Sequence, residues 1–283
     1  MNKPLVIVDS NYIAYVNKFA LSSGLSYRGH RTEIIFGFLR DVIELADKFE
    51  SNNMVFCWDS KHSLRRNIYP EYKINRRQEK NEDVMESDMI AFEQFDRLRK
   101  EILPDLGFSN IFFQDGYESD DLIASIVMDH SDRTNIVVSS DNDLLQLLDH
   151  CSIYNISKKS TMTKAIFIRE YGIKPVQWVD VKTLSGCSTD HVEGIRGVGE
   201  KKAIDYIKGK LVSGKTFDKI KTYDASEKEL TRKLVQLPFE GTMKCVLRKN
   251  SFDRMKYQDV CSRNGFKSLL TDKCVDRWEG LFL

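Results

Sequence analysis

The 283-residue sequence lacks any apolar run long enough to span a membrane. It opens with Met1-Asn2-Lys3-Pro4 and enters a strand-like run at once, so we expect no signal peptide and a cytoplasmic protein. The six cysteines form no Cys-x-x-Cys pair, which predicts reduced thiols rather than a disulfide framework. The five histidines are scattered and show no zinc-ligand spacing.

The sequence also lacks an excess of one charge, because it contains 43 basic and 42 acidic residues and its net charge is +1. Residues 209–216, Gly-Lys-Leu-Val-Ser-Gly-Lys-Thr, match the Gly-x-x-x-x-Gly-Lys-Ser/Thr pattern. The phosphate-binding loop of a nucleoside triphosphatase follows a strand, whereas Ile204 and Ile207 before this match continue a helix, so we do not expect a nucleoside triphosphatase. We find no internal repeat and no low-complexity tract. With 41% hydrophobic and 30% charged residues, the chain is typical of a protein with one or two domains and a sizeable core.

Short apolar runs alternate with helical periodicity in the first half of the chain. Such runs are typical of buried parallel strands, and the alternation predicts an α/β fold with a mostly parallel central sheet and helices on both faces. The predicted strands are residues 5–8, 54–58, 111–113, 136–138 and 152–156, with helices at 33–49 and from Leu144 onward. We predict a basic hairpin at residues 158–164 and a mainly helical region after about residue 165. Within that region, we predict a solvent-exposed connecting segment at residues 209–229.

Four of the predicted strands lead into acidic residues. These acids are Asp9, Asp59, Glu118, Asp120, Asp121, Asp141 and Asp143. The carboxyl ends of parallel strands meet at one edge of a sheet, so we expect the acids to converge there. A single Asp after a strand is often only a turn or cap residue, but four such strands in one chain favour a functional site.

Converging carboxylates repel one another, and bound cations remove the repulsion. Oxygen ligands without clustered His or Cys favour Mg²⁺ or Mn²⁺. Two such ions about 4 Å apart can drive phosphodiester hydrolysis. The sheet edge therefore predicts phosphoryl transfer or phosphodiester hydrolysis.

A basic segment follows Asp59 directly. Residues 61–80 hold seven Lys or Arg and two acids, with Tyr69 and Tyr72 between them and a helix-breaking Pro70. Such a run is usually a solvated loop. Its position beside Asp59 favours the alternative, in which basic side chains follow a phosphate backbone and the rings stack on bases.

Three glycines, Gly194, Gly197 and Gly199, precede Lys201 and Lys202. Glycines often only permit a tight turn. At the start of a helix they also expose N–H groups that suit phosphate, and such contacts position duplex DNA without reading its sequence.

Together these motifs resemble the 5′-nuclease family of flap endonucleases, phage 5′-exonucleases and the 5′-exonuclease domain of bacterial DNA polymerase I. The matching segments are 8–11, 58–59, 65–76, 117–121, 140–144, 186–201 and 232–238, in the family's order. The resemblance implies a PIN-like nuclease core over 1–165 with a helical arch at about 61–90. A helical duplex-binding region would occupy 166–283, with a helix–hairpin–helix-like segment at 186–208.

The resemblance also implies an activity. The chain would be a structure-specific 5′ nuclease, both a 5′→3′ exonuclease and a 5′-flap endonuclease, that uses two Mg²⁺ or Mn²⁺ ions in replication and repair. Its substrates would be DNA with a 5′ flap, a nick or a free 5′ end, and RNA–DNA hybrid during primer removal. The protein would be a monomer in a bacterial or phage-infected cytoplasm, with a polymerase or single-strand binding protein as partner.

Individual roles follow from the same resemblance. The first metal would be held by Asp9, Asp59, Glu118 and Asp120, and the second by Asp121, Asp141, Asp143 and Asp190. Lys73 and Arg76 would contact the scissile phosphate, and with Asp120 and Asp121 they form the catalytic set. Tyr72 would stack on a base near the cut, and Arg65 would support the same site, so that both count among the DNA-binding residues. The loop with Gly197, Gly199, Lys201 and Lys202 would bind duplex, with a K⁺ ion on its carbonyls.

One segment departs from the family. Residues 186–191 read Gly-Cys-Ser-Thr-Asp-His, where the family has Gly-Asp-x-x-Asp-Asn, so a thiol at Cys187 replaces a carboxylate. Thiolate is a poor ligand for Mg²⁺. Glu193 is a candidate to compensate. The alternative is a flap- or junction-binding protein with weak or no cleavage.

Overall fold

The computed structural model describes residues 3–20, 24–77 and 82–283, and only the backbone of residues 76 and 77. The strands are β1 (Leu5–Asp9), β2 (Ser26–Tyr27), β3 (His30–Arg31), β4 (Met54–Trp58), β5 (Ile111–Phe113), β6 (Asn135–Val138), β7 (Ser152–Asn155), β8 (Ser160–Met162), β9 (Gly186–Cys187) and β10 (Val192–Glu193). The α-helices are α1 (Ser10–Ala20), α2 (Glu33–Lys48), α3 (Arg65–Ile68), α4 (Glu82–Arg97), α5 (Leu103–Asp105), α6 (Ser119–Asp129), α7 (Lys164–Tyr171), α8 (Trp178–Ser185), α9 (Glu200–Ile207), α10 (Lys215–Lys221), α11 (Ala225–Val235), α12 (Arg254–Arg263) and α13 (Asp272–Phe282). Short 3-10 helices cover Ile74–Arg77, Asp143–Leu147, Pro175–Gln177, Ser188–Asp190 and Lys267–Leu270, and a π-helix covers Leu98–Ile102.

The central sheet has the strand order β5-β4-β1-β6-β7-β8. All neighbours in it are parallel except β8, which pairs antiparallel with β7 and forms the predicted hairpin. The mostly parallel sheet predicted from the alternating pattern is therefore confirmed. The four strands that lead into acids are adjacent, so their carboxyl ends lie side by side.

Helices cover both faces of this sheet. Because side chains alternate along a strand, Val6 and Val8 face a core formed with α1 and α2, whereas Leu5 and Ile7 face a second core formed with α6 and α8. Both faces are thus apolar, which explains why the strands read as continuous hydrophobic runs.

The basic segment forms short helical pieces along the sheet edge. Helix α3 ends at Ile68, just before the Tyr69-Pro70 pair, and a 3-10 helix follows at Ile74–Arg77. Helix α4 continues through the π-helix into α5, and Lys18 of α1 bonds Asp88 of α4 at 2.5 Å. Residues 78–81 of the expected arch lie outside the described part of the chain.

Before and within residues 186–208, which are predicted to be helix–hairpin–helix-like, α8 leads into the β9–β10 pair and then into α9. The core also continues across residue 165, since Phe167 and Trp178 share one cluster with Leu144 and Leu145. The division of the chain near residue 165 stays a prediction. None of the described helices is long and apolar enough to cross a membrane.

Two local predictions were wrong. The segment from Leu144 forms only a short 3-10 helix, because the chain must turn into β7 within a few residues. Residues 209–229 are not a plain connection but contain α10 and the start of α11. Apolar side chains such as Ile220 anchor α10 in the core, although the other residues of that helix are mostly exposed.

The C-terminal segment, for which no motif was found, completes the core. Residues 243–251 run beside β5, where Asn110 and Arg248 exchange two hydrogen bonds of 2.7 and 2.9 Å. Helices α12 and α13 then pack on the face of the sheet that α1 and α2 also cover. There the buried Trp278 ring stacks on the rings of Tyr257 and Phe282, with ring centroids 4.5 and 4.2 Å apart. The segment therefore covers an edge strand and closes one side of the core.

This packing predicts that Trp278→Ala lowers the free energy of unfolding by about 3–5 kcal/mol, because it leaves a large cavity among aromatic rings. Met255→Ala on α12 is the control, since that side chain is 72% exposed and should change stability little. Urea unfolding of both variants tests this. Equal stability of the two variants would show that the C-terminal helices add nothing to the core.

Candidate active site

The predicted acids meet at the carboxyl edge of the sheet. Asp9 is the last residue of β1, Asp59 follows β4, Glu118 and Asp120 flank the start of α6, and Asp141 follows β6. These five residues are called the acid cluster below. They line a cavity of about 680 Å³ together with Asp143, Asp190, Lys73 and Lys182.

Ser119 holds the centre of the acid cluster. Its backbone N–H donates to Asp59 Oδ1 at 2.7 Å, and its hydroxyl donates to Asp9 Oδ1 at 3.2 Å. Ser139, directly after β6, donates to Asp9 Oδ2 at 2.9 Å. Asn11 accepts the backbone N–H of Asp59 at 3.0 Å. Sequence reasoning missed these residues, although they lie inside or next to the motifs.

The cluster is short of positive charge. Burial and the neighbouring Asp59 raise the pKa of Asp9 to about 7. Burial also raises the pKa of Asp59, Asp120 and Asp141, with repulsion from Glu118, Asp141 and Asp143 respectively as the next cause. Ionised together, these side chains require a cation.

Glu118 is the exception in the cluster. Burial disfavours its charge, but Lys73 and Arg65 outweigh that effect and lower the pKa of Glu118. Lys73 Nζ lies 2.7 Å from Glu118 Oε2 and 3.6 Å from Asp190 Oδ1. The basic segment therefore places an ammonium group directly at the acids, as its position after Asp59 predicted.

Asp121 differs from the expectation that it serves the second metal. Its side chain is 0% exposed, and Arg65 donates to both carboxylate oxygens at 2.7 Å. The backbone N–H groups of Glu118 and Phe239 complete its partners. Arg65, also buried, cannot touch DNA here, and the pair instead fixes the start of α6 to the basic segment.

Tyr72 also departs from its expected role. Its side chain is only 2% exposed and packs with Val179 and Leu234, while its hydroxyl donates to Glu118 Oε2 at 2.9 Å. Stacking on a base is therefore not available to this ring in the structure. The side chain of Arg76 lies outside what the structure describes.

The glycine loop lies at the surface. Gly197 has φ of 86°, and a side chain at Gly197 or Gly199 would meet nothing within 4 Å. Gly199 caps α9, on which Lys201 and Lys202 are exposed, and Lys202 Nζ donates to Gly197 O at 2.9 Å. Open space in front of a helix start fits the expected duplex contact.

A second set of ligand atoms converges beside the acid cluster. Within the described ranges, Asp143, Cys187 and Asp190 are the only His, Cys, Asp or Glu side chains that bring three ligand atoms within 4.8 Å of one another. They are called the Cys187 triad below. Glu193, expected to compensate for the missing carboxylate, is not part of it.

Lys182 was not found by sequence reasoning, because it reads as one polar residue on α8. It is only 6% exposed, and its Nζ lies 3.0 Å from Asp143 Oδ1 and 3.2 Å from Glu200 Oε1. Burial opposes its charge, but Asp143 outweighs this effect and raises the pKa of the ammonium. Lys182 thus supplies fixed positive charge next to the Cys187 triad.

The acid cluster fits a hard divalent cation, because every side chain in it is a carboxylate and four of them have raised pKa values. The carboxylate oxygens of the acid cluster lie farther apart than the three ligand atoms of the Cys187 triad. This wider spacing suits an ion such as Mg²⁺, which keeps several of its waters. The Cys187 triad fits such an ion poorly, since it presents a thiol and an Asp143 oxygen already paired with Lys182.

The comparisons with known proteins agree with this geometry. A family model described as 5'-3' exonuclease, N-terminal resolvase-like domain, matches residues 4–172. The chain belongs to this family. It is 29% identical over 291 residues to a 5'-3' exonuclease of Bacillus subtilis (strain 168), with 95% of each chain covered. It is also 31% identical over 216 residues to the DNA polymerase I of Chloroflexus aurantiacus, which covers 72% of this chain and 22% of that relative.

Solved structures show the same fold. T5 5'-exonuclease with bound zinc superposes with a TM-score of 0.70 at 20% identity, covering 94% of this chain and 98% of that one. Flap endonuclease-1 from Methanococcus jannaschii gives a TM-score of 0.62 at 16% identity, covering 99% and 93%. The resemblance to 5′ nucleases and the α/β, PIN-like fold class are therefore confirmed.

The raised pKa of Asp9 predicts a pH dependence of the metal-free protein. The folded state holds this proton up to about pH 7, and the unfolded state only to about pH 4, so stability falls as pH rises between these values. Asp9→Asn cannot ionise and should be more stable than wild type above pH 7 by about 2–4 kcal/mol. Urea unfolding with a chelator at pH 5 and pH 8 measures this, and an equally steep loss in both proteins would contradict it.

Two neighbouring acids on α6 should behave in opposite ways. Asp121→Asn breaks a buried ion pair and should cost about 3–5 kcal/mol with or without Mg²⁺. Asp120→Asn should be at least as stable as the wild type without metal, because burial and repulsion from Asp141 raise the pKa of Asp120 too, and it should lose the rise in melting temperature that Mg²⁺ gives the wild type. Thermal melts with and without Mg²⁺ compare them. A stable Asp121→Asn variant that no longer responds to Mg²⁺ would instead make Asp121 a metal ligand.

Proposed function

We propose that this 5′-nuclease family member hydrolyses phosphodiesters in DNA with a 5′ flap, a nick or a free 5′ end, using Mg²⁺ or Mn²⁺. The observation that carries the proposal is the acid cluster, in which four of the five carboxylates have raised pKa values and Glu118 lies beside Lys73. Carboxylates that lack counter-charge bind hard divalent cations, and such ions act on phosphates.

Asp9, Asp59, Glu118 and Asp120 would hold the first ion, and Asp141, which lines the same cavity, would contribute to it. Such an ion would supply Lewis-acid chemistry there, which polarises a phosphate oxygen and lowers the pKa of a bound water. Ser119 and Ser139 keep the Asp9 carboxylate in place through their hydroxyls. The protein thus presents oriented oxygens rather than forming the site around the ion.

Lys73 and Arg76 would bind the scissile phosphate. The backbone of Lys73 is in the left-handed region, with φ of 54°. Lys73 Nζ lies between Glu118 and Asp190 at the wall of the cavity. Its charge would draw the phosphate to the acids and offset repulsion between the DNA and the carboxylates. Arg65 and Asp121 would act as positioning residues, since they anchor the segment that carries Lys73.

Duplex DNA would contact the glycine loop. The exposed N–H groups at Gly197 and Gly199, with Lys201 and Lys202, suit a phosphate backbone. A K⁺ ion on the loop carbonyls would have to displace Lys202 Nζ from Gly197 O. Supporting this partner, the T5 D15 flap endonuclease was solved with DNA and metal ions, and it shares the fold at a TM-score of 0.69 and 20% identity.

Family membership favours cleavage over the alternative of a protein that only binds flaps or junctions. A role in replication and repair, removal of RNA primers, a polymerase or single-strand binding partner, a monomeric state and a cytoplasmic setting are parts of the same proposal. Competition between RNA-primed and all-DNA flaps would measure how far the enzyme accepts RNA.

Asp120→Ala should abolish cleavage of a labelled 5′-flap substrate in Mg²⁺, because it removes a buried ligand from the acid cluster while leaving the DNA-binding surface intact. Flap binding, measured separately by fluorescence anisotropy, should remain. Asp132→Ala is the matched control, since that acid is exposed and lies at the opposite end of the sheet. Cleavage by Asp120→Ala at the wild-type rate would overturn the proposal.

A further inference from the structure

The Cys187 triad has a different chemistry from the acid cluster next to it. It contains one thiol and two carboxylates, each at least mostly buried, from two segments of the chain, because Cys187 directly precedes the 3-10 helix that ends at Asp190 whereas Asp143 follows β6. Cys187 lies in β9, where Gly186 with φ of 72° allows the close approach of β10 that fixes the position of the thiol. The thiol is therefore held toward Asp143 by the fold.

The distances suit a tetrahedral ion. Zinc with a sulfur ligand at about 2.3 Å and an oxygen ligand at about 2.1 Å separates the two ligand atoms by about 3.6 Å. Cys187 Sγ lies 3.8 Å from Asp143 Oδ2, and all three ligand atoms lie within 4.8 Å. Octahedral Mg²⁺ needs neighbouring oxygens about 3.0 Å apart and prefers no sulfur at all.

Each oxygen of Asp143 has its own partner. Oδ1 is 3.0 Å from Lys182 Nζ, whereas Oδ2 faces Cys187. Lys182 also reaches Glu200, so its charge stays balanced when Oδ2 binds an ion. Thr189 Oγ1 lies 3.1 Å from the sulfur, within reach to donate a hydrogen bond to a thiolate.

We propose that Asp143, Cys187 and Asp190 form a site for a thiophilic divalent cation such as Zn²⁺ in place of a second Mg²⁺. Binding joins the metal to sulfur and releases the thiol proton to solvent. The protein then holds an unlike pair of cations, with a hard ion in the acid cluster and a thiolate-bound ion beside Asp190. The metal preference stands without the nuclease reaction, whereas any effect on cleavage rests on the proposed function.

Cobalt absorption tests the site directly, because a thiolate ligand gives Co²⁺ a near-ultraviolet charge-transfer band that carboxylates do not give. The full-length wild type, free of DNA, is titrated with Co²⁺. We expect one band-forming equivalent per chain, which Zn²⁺ removes by displacement and which survives an approximately 100-fold excess of Mg²⁺.

Three variants complete the test. Cys187→Ser and Cys187→Asp should both lose the band, and Cys187→Asp should gain affinity for Mg²⁺, seen as a larger Mg²⁺-dependent rise in melting temperature. Cys151→Ser is the matched control, since that half-buried thiol bonds only Leu147 O and should not matter. Two substitutions at Cys187 keep the test valid if one of them fails to fold.

A wild type without the band, a band that persists in a folded Cys187 variant, or displacement by Mg²⁺ at similar concentration would overturn the proposal. Flap cleavage is measured separately with Mg²⁺ alone. Cleavage without the band refutes only the thiophilic site, and the band without cleavage refutes only the proposed nuclease activity.

Discussion

Mutual repulsion among the carboxylates that line one cavity is the constraint on which the rest of this structure depends. Four parallel strands place Asp9, Asp59, Asp120 and Asp141 around one cavity, where burial and like charge raise the pKa of each. A fold optimised only for stability would not gather these groups. The sheet, with both faces covered by helices, supplies the rigidity that keeps them together.

A buried ion pair, Arg65 with Asp121, connects the site to the rest of the chain. Arg65 bonds both oxygens of Asp121 and donates through Nε to Leu234 O at 3.0 Å, while the N–H of Phe239 donates to Asp121. The basic segment, the start of α6 and the chain after α11 thus meet at one ion pair. Losing one partner would leave the other charge buried, so the pair acts as a structural joint.

Positive charge is distributed unevenly around the acids. Lys73 neutralises the Glu118 side and Lys182 the Asp143 side. Asp9 instead has hydroxyl and backbone donors and other acids around it, and at Asp120 burial and repulsion from Asp141 and Asp9 outweigh the effect of Lys73. This difference explains why the pKa of Glu118 is lowered while those of its neighbours are raised. It also places the strongest demand for a cation between Asp9, Asp59 and Asp120.

The sequence by itself determined the strands, the parallel sheet and the edge where the acids meet, because these follow from hydrophobic periodicity and from the position of each acid at a strand end. Only the tertiary structure decided that Asp121 pairs with Arg65, that Tyr72 is buried, and that Lys182 and Cys187 flank Asp143. Arg65 and Asp121 are 56 positions apart. Partners so distant leave no periodic pattern, and three acids within four positions look alike until packing surrounds one of them with donors.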